Sequence, residues 1–369
     1  MPEPGRWERC VEHRDSGVKQ FFRDYFGSSR GRMGLIAAAG FDPRSCIVTE
    51  LLASVTHNVD AIFIREERPA PDSSLVAMAD QNLGRLQAAC SNHQVIGVDI
   101  FDGSAVVGGR VIATRLNERR ASVIEGWTDV VIDASAFSVG ISFPLIKFFL
   151  EQAARDTPRN VHVVIAASSV MDNSVVHIAS DFMTPAHGFA GGLSLFEVNR
   201  AAKLWLPQLA LDRSAMLATI YSTVNPDDVC PILPFPAQDP RTADRLIEHY
   251  LEQFESTWEV DARDIVYAAE NDPKDLYRTL IRLHHLRTDV FKDVGGSVMV
   301  LSPLGSRAMA LGSLMAAYEL DLTVAYVESE GFDSATVPRS APEPELVHLW
   351  LAGDVYAKAK PSNLKPKEV

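Results

Sequence analysis

The apolar run Met33-Gly-Leu-Ile-Ala-Ala-Ala39 and the turn Gly40-Phe-Asp-Pro-Arg44 that follows it decide the fold class. After the turn, Ile47 and Leu51 recur at helical spacing, and Ser45 is a candidate N-cap. The stretch therefore predicts a buried strand, a tight turn and a helix. A strand that leads directly into a helix is half of a βαβ unit, from which parallel sheets are built.

Further apolar runs repeat this pattern along the first half of the chain. They cover residues 59–64, 94–100, 129–133 and 161–166, and helices are predicted over residues 72–90 and 143–155. The runs are continuously apolar rather than alternating, as expected for strands that are buried on both faces of a parallel sheet. The sequence therefore predicts an α/β fold, with a mostly parallel Rossmann-like sheet flanked by helices over residues 31–170.

The remaining residues divide into four regions. We predict an N-terminal extension over residues 1–30, a cleft-covering irregular segment over 171–210, a second α/β half over 211–335 and a C-terminal tail over 336–369. Within the irregular segment, residues 204–209 are predicted to form a turn or a short helix, and residues 184–192 a loop. The second half either extends the first sheet or packs beside it as a similar half.

Composition limits the functional classes. The chain has 369 residues, of which 47% are hydrophobic, and a formal net charge of −13. These values indicate a globular protein and argue against direct binding of nucleic acid. The four cysteines fit neither a zinc site nor a disulfide framework, so buried free thiols are expected. Without a secretory signal or an apolar run of about 18 residues, we expect a cytoplasmic protein with no membrane segment.

The turn that follows residues 297–301 is the most informative candidate site. Ser302, Gly305, Ser306 and Arg307 end this predicted strand and open a helix of small residues. A helix N-terminus exposes unpaired N–H groups, and glycine lets an anion approach the backbone closely. The turn therefore predicts binding of an anionic group. Close packing of a small-residue helix on a sheet would explain the same pattern.

Residues 298–327, which contain this turn, resemble the corresponding strand–turn–helix unit of the CRISPR-associated Rossmann-fold (CARF) ligand sensors. In those proteins a small-residue turn with a basic residue opens a helix that packs on the sheet and helps to hold a nucleotide ligand. The resemblance implies a nucleotide sensor that acts on a partner protein or as a homo-oligomer. A role in a bacterial defence complex follows from it by analogy only.

Gly40, Asp42 and Arg44 form a second candidate site. They occupy the usual ligand position after the first strand of an open α/β sheet, and an arginine can bind a phosphate through two hydrogen bonds. The structural alternative is that Asp42 caps the helix and Arg44 is held in a salt bridge. The chain contains neither G-x-G-x-x-G nor a P-loop motif, so a dinucleotide or ATPase site of those types has no support.

Acidic residues at strand ends form a third candidate site. Asp42, Asp99 and Asp133 would make an acidic rim that could hold Mg²⁺ for phosphoryl chemistry, and Ser135 would add a hydroxyl group at the same edge. Aspartates at such positions also act simply as caps and turn formers. Both interpretations stay open at this point.

The candidate sites are predicted to meet in one cleft. The turns at 40–44 and 302–307 would open onto an anion-binding hollow between the carboxyl edges of the two halves, and Glu270 is predicted to project into it. The favoured function is a sensor or regulatory subunit that binds a nucleotide or another phosphorylated small molecule. The alternatives are an Mg²⁺-dependent enzyme acting on a nucleotide or phosphosugar, and a structural subunit.

Overall fold

A computed structural model describes residues 5–29, 31–155, 160–191, 201–340 and 343–356. The strands in these residues are β1 (Val11–Arg14), β2 (Met33–Ala38), β3 (Val59–Glu67), β4 (His93–Asp99), β5 (Phe101–Asp102), β6 (Ala105–Val106), β7 (Asp129–Asp133), β8 (Asn160–Ala167), β9 (His177–Ala190), β10 (Ala202–Pro207), β11 (Asp228–Val229), β12 (Ile232–Pro234), β13 (Val266–Ala268), β14 (Ser297–Ser302), β15 (Thr323–Phe332) and β16 (Glu345–Ala352). The α-helices are α1 (Ser16–Phe21), α2 (Ile47–Ala53), α3 (Ser73–Ala89), α4 (Gly108–Arg119), α5 (Val139–Arg155), α6 (Ser169–Ser174), α7 (Ser214–Val224), α8 (Thr242–His249), α9 (Pro273–Phe291) and α10 (Arg307–Leu320).

The first sheet has seven strands in the order β1-β16-β8-β7-β2-β3-β4. Its five strands from β8 to β4 run parallel to one another, whereas β16 and β1 pair antiparallel at one side. Counted along the chain, the parallel strands have the doubly wound order 3-2-1-4-5, which reverses between β2 and β7. The predicted α/β fold with a mostly parallel, Rossmann-like sheet is therefore confirmed.

The second half forms a sheet of its own rather than extending the first. Its order is β11-β10-β14-β15-β9, with four parallel strands and β9 antiparallel at the edge. The strand order of this sheet reverses between β10 and β14. One hydrophobic core cluster includes Ile36 and Ile132 of the first sheet together with Trp205 and Leu301 of the second. The two halves are therefore packed against each other through a continuous core.

Both chain ends differ from the predicted N-terminal extension and C-terminal tail. The strand β1 pairs with β16, and β16 lies inside the first sheet with seven of its eight residues buried. The run Leu346–Leu351 is apolar apart from His348, and the prediction of a C-terminal tail over 336–369 is wrong for these residues. The second half is therefore inserted between β8 and β16 of the first sheet. Residues 1–4 and 357–369 lie outside the described residues.

The segment 171–210 also differs from the prediction, because its described part is largely β-structure. Residues 177–190 form the edge strand β9, and residues 202–207 form β10 rather than a turn or short helix. Pro185 is tolerated because β9 is an edge strand, and Pro207 because it ends β10. The part of the segment from 192 to 200 lies outside the described residues. No described helix is long and apolar enough to cross a membrane.

Candidate functional site

A cavity of about 470 Å³ lies where the two sheets face each other. The first sheet contributes residues 38–42, after β2, and residues 64–68 at the end of β3. The second contributes residues 303–305 and Arg307, after β14, and Arg213, after β10. The carboxyl ends of both parallel sheets therefore open onto one hollow, and residues of the turns at 40–44 and 302–307 both line it. This is the ligand position of an open α/β sheet, here formed twice.

Arg44 lies at the cavity wall, but its guanidinium group is bound by the protein itself. Its side chain is 2% exposed, and it donates hydrogen bonds of 2.8 Å to the carboxylates of Asp42 and Asp172. Asp42 also accepts from the backbone N–H of Arg44 and so caps the turn. Burial alone would lower the pKa of Arg44, but Asp172 and Asp42 raise it above its usual value. The structure therefore agrees with the alternative interpretation of this turn, in which Asp42 is a cap and Arg44 is held in a salt bridge.

The N-terminus of α10, where an anion was predicted to bind, holds a carboxylate of the protein. Asp172, from α6, accepts the backbone N–H of Arg307 at 3.1 Å. Ser306 caps the helix by accepting from Met309, and its hydroxyl donates to the carbonyl of Glu270 at 2.7 Å. Asp172 therefore occupies the position in which the N–H groups and the helix dipole would favour an external anion.

Three other predicted site residues are buried in the protein interior and hydrogen-bonded there, although Asp133 Oδ2 has no hydrogen-bond partner among the described residues. Ser302 is buried and accepts a hydrogen bond from Trp205 Nε1 at 2.9 Å. Ser135 donates to Asp133 at 2.5 Å and accepts the N–H of Ala166 at 2.8 Å. Burial raises the pKa of Asp133 to about 7. Their hydrogen bonds connect β10 to β14 and the end of β7 to β8. Ser302, Ser135 and Asp133 are not among the described residues that line the cavity.

Two further predictions about the cleft differ from the structure. Gly305 lines the cavity, but its N–H donates to Gln208 Oε1 at 3.3 Å, and a Cβ atom there would lie 3.0 Å from the same oxygen. Its lack of a side chain therefore permits close packing on Gln208. Glu270 lies in a different groove, beside Glu12 and Arg14, where it accepts the N–H of Gln238 at 2.8 Å. Burial raises the pKa of Glu270.

The predicted magnesium site is not formed by these aspartates. Asp133 ends β7 and Asp99 ends β4, and these strands are three positions apart in the sheet, a separation of about 14 Å. Asp42 is bonded to Arg44. Across the described parts of the chain, no group of three His, Cys, Asp or Glu side chains could hold a metal ion. The prediction failed because a shared sheet edge is wide, and only neighbouring strands bring their ends together.

A histidine that is not among the predicted site residues lies at the cavity wall. His177 of β9 is half-buried, with Nε2 2.6 Å from Arg213 Nη2 and Nδ1 2.6 Å from Ser329 Oγ. Arginine can only donate, so Nε2 accepts and the neutral ring carries its proton on Nδ1. Burial and Arg213 both lower the pKa of His177 well below its usual value. The imidazole therefore donates to Ser329 and is not arranged to take a proton from that hydroxyl.

A second missed cluster lies where the ends of β3 and β15 meet the start of α5. Arg68 donates to Glu66 at 2.8 Å and to Glu328 at 3.3 Å, and Glu66 accepts the backbone N–H of Ser138 at 2.9 Å. Burial raises the pKa of Glu328, although Arg68 opposes this. All four residues line the cavity. The sequence signal was the charged stretch Arg65-Glu-Glu-Arg68 that ends an apolar strand.

The cavity wall has mixed charge. Seven carboxylates of the described residues line it, namely Asp42, Glu66, Glu67, Asp72, Asp172, Glu328 and Glu330. Five arginines line it as well, namely Arg44, Arg65, Arg68, Arg213 and Arg307. Among these arginines, Arg307 has the most exposed side chain, at 27%. The carboxylates therefore outnumber the arginines along the described wall, and the most exposed arginine is Arg307.

Comparison with known proteins yields no family for this chain. No family model matches it, and no curated protein matches it either. Among solved structures, the Pseudomonas aeruginosa RhlG/NADP active-site complex matches with 12% sequence identity and a TM-score of 0.23, and the match covers 80% of this chain and 92% of that chain. A likeness this low carries no argument about function. The fold class rests on the strand order of the two sheets.

Proposed function

We propose that the cavity binds a small organic molecule with a single anionic group, with a nucleotide or another phosphorylated metabolite as the main candidate. The observation that carries this proposal is that both parallel sheets open their carboxyl ends onto the same cavity. Open α/β sheets bind ligands at these edges, where the strand order reverses. The cavity volume of about 470 Å³ also lies within the ~300–1,000 Å³ of typical ligand pockets.

Arg307 is the residue proposed to hold the anionic group. Its guanidinium donates to the carbonyl of Phe137, while its Nε atom lies 3.8 Å from Asp172, beyond hydrogen-bond distance. Arg44, in contrast, is closely paired with two carboxylates. A phosphate can therefore approach Arg307 without breaking a close ion pair.

The charge and shape of the wall support one anionic group rather than a polyphosphate. Seven carboxylates face five arginines, so each further phosphate charge adds repulsion that no surplus cation offsets. Apolar side chains at the cavity offer a surface for a base or another uncharged ring. Phe41 and Phe332, one from each half, form an edge-to-face pair with ring centroids 4.9 Å apart.

The proposed role is regulatory. A ligand in this cavity contacts both halves, so its binding energy would favour one arrangement of the two sheets over others. The resemblance of residues 298–327 to CARF sensors supports signalling to a partner chain or a second copy, and the place in a defence complex rests on that resemblance alone. The hydrogen bonds of His177 support binding rather than catalysis, because the ring donates to Ser329 instead of activating it.

Isothermal titration calorimetry with nucleosides and their 5′-mono-, di- and triphosphates tests the proposal. We expect a monophosphate to bind more tightly than the nucleoside and the triphosphate, and Arg307→Ala to weaken its binding more than tenfold. Arg85→Ala is the matched control, since Arg85 is an exposed arginine paired with Glu50 outside the cavity lining. Equal effects of the two substitutions, or no binding by any phosphorylated compound, would refute the proposal. Cyclic oligonucleotides extend the panel to CARF-type ligands.

A further inference from the structure

Three polar groups near the start of α5, one before the helix and two on β15, have no hydrogen-bond partner among the described residues. Ser138 Oγ and Glu328 Oε2 are buried without a hydrogen bond among the described residues, and the Tyr326 hydroxyl forms none with them either. Ser138, Tyr326 and Glu328 all line the cavity. An unsatisfied buried polar group costs about 1–3 kcal/mol, so each of these groups calls for a partner such as an ordered water, an ion or a ligand.

Gly140 packs closely against two of these groups, the Tyr326 hydroxyl and Glu328 Oε2. A Cβ atom at Gly140 would lie 2.5 Å from the Tyr326 hydroxyl and 2.6 Å from Glu328 Oε2, so these two oxygens are at most about 5 Å apart. Any larger residue at this position in the first turn of α5 would collide with both. The hydroxyl and the carboxylate oxygen are therefore held side by side against the N-terminal turn of a 17-residue helix.

The surrounding charges select the kind of group that can bind there. Arg68, 3.3 Å from Glu328 Oε1, and the positive end of the α5 dipole both disfavour a cation. Glu66 and Glu328 disfavour an anion, because each contributes a carboxylate to the same cluster. A neutral group that both donates and accepts hydrogen bonds fits these constraints. Tyr and Ser hydroxyls can donate or accept, and an ionised carboxylate only accepts.

We propose that Ser138, Tyr326 and Glu328 bind adjacent hydroxyl groups of a sugar ring on the ligand. This inference rests on the proposed function, because the sugar would belong to the same molecule whose anionic group reaches Arg307. Adjacent hydroxyls supply two donors and several acceptors, which match the unpartnered oxygens of these three residues. The ligand class is thereby narrowed to sugar phosphates and nucleotides that keep both hydroxyls.

Calorimetric comparison of ribonucleoside 5′-monophosphates with their 2′,3′-dideoxy analogues tests the sugar contacts. The wild-type protein should bind the ribose form about ten- to a hundredfold more tightly, because the dideoxy form leaves polar groups of the site unpaired. Tyr326→Phe should bring this ratio below about threefold while leaving the dideoxy affinity unchanged. Glu328→Gln should also lower the ratio, which gives a second variant if the first folds poorly. Tyr267→Phe, at an exposed tyrosine outside the cavity lining, is the control.

The outcomes separate the two proposals. Equal binding of ribose and dideoxy forms by the wild-type protein, with the Arg307 dependence intact, would overturn the sugar site and leave the proposed function standing. A ratio unchanged in both Tyr326→Phe and Glu328→Gln would also overturn it. Failure of both forms to bind would overturn the proposed function and the sugar site together.

Discussion

Arg44→Met tests whether this buried arginine stabilises the fold or anchors a ligand. The substitution removes a guanidinium group that is 2% exposed and lies 2.8 Å from each of two carboxylates. Asp42 and Asp172 are 12% and 9% exposed, so they would be left as largely buried charges without their main partner. Removal of one member of a buried ion pair costs about 3–5 kcal/mol, and this is the destabilisation that we expect.

Thermal unfolding gives the assay. For 369 residues the unfolding entropy is about 0.8 kcal/mol/K, so a loss of about 3–5 kcal/mol lowers the melting temperature by about 4–6 °C. Arg307→Met is the matched control: Arg307 is 27% exposed and its nearest carboxylate contact is 3.8 Å, so its stability change should stay below about 1 kcal/mol. A melting temperature of Arg44→Met within about 1 °C of wild type, with lost ligand affinity, would refute the structural role.

Three further predictions concern stability. Burial raises the pKa of Asp133 to about 7, so between about pH 4 and 7 the folded state binds one proton more than the unfolded state. As the pH rises through this window, the free energy of unfolding of the wild-type protein should therefore fall by up to about 1.4 kcal/mol per pH unit relative to Asp133→Asn, as measured by urea denaturation. Burial and the neighbouring His162 lower the pKa of His348 well below 6.5, so the contribution of neutral His348 to the free energy of unfolding is present above pH 6.5 and is lost as the pH falls below that value. His348→Gln should therefore make the free energy of unfolding decline less steeply on acidification, and an unchanged slope would contradict this. Gly34→Ala places a Cβ atom into the ring of Trp127 and should cost about 1–3 kcal/mol in the same denaturation assay, whereas wild-type stability would show that the ring can move aside.

The parallel strands could be predicted because local runs of apolar residues indicate that these strands are buried. Largely apolar stretches such as residues 129–133, with Val-Val-Ile at the centre, and residues 161–166 are typical of strands covered on both faces, and each forms a strand. The pairing of β1 with β16 could not be predicted in this way. Val11 pairs with Trp350, more than 300 residues away, and β1 is a short, half-buried strand with three polar residues. Nothing local indicates such a partner.

The positions of the two turns could be predicted from the sequence, but the contacts of their side chains could not. The turns at 40–44 and 302–307 do line one cavity. Their polar groups were predicted to face a ligand, but Asp172 pairs with Arg44 and accepts the N–H of Arg307. Asp172 lies in the segment 171–210, which the sequence predicts to be irregular, so its contacts with both turns are visible only in the folded chain.

Hydrogen–deuterium exchange with and without the tightest-binding nucleoside monophosphate tests the central claim most directly. A ligand that bridges the carboxyl edges of both sheets should slow exchange at residues 64–68 of the first half and at residues 303–307 of the second half together. Protection confined to one half, or located away from the cavity, would contradict a shared site.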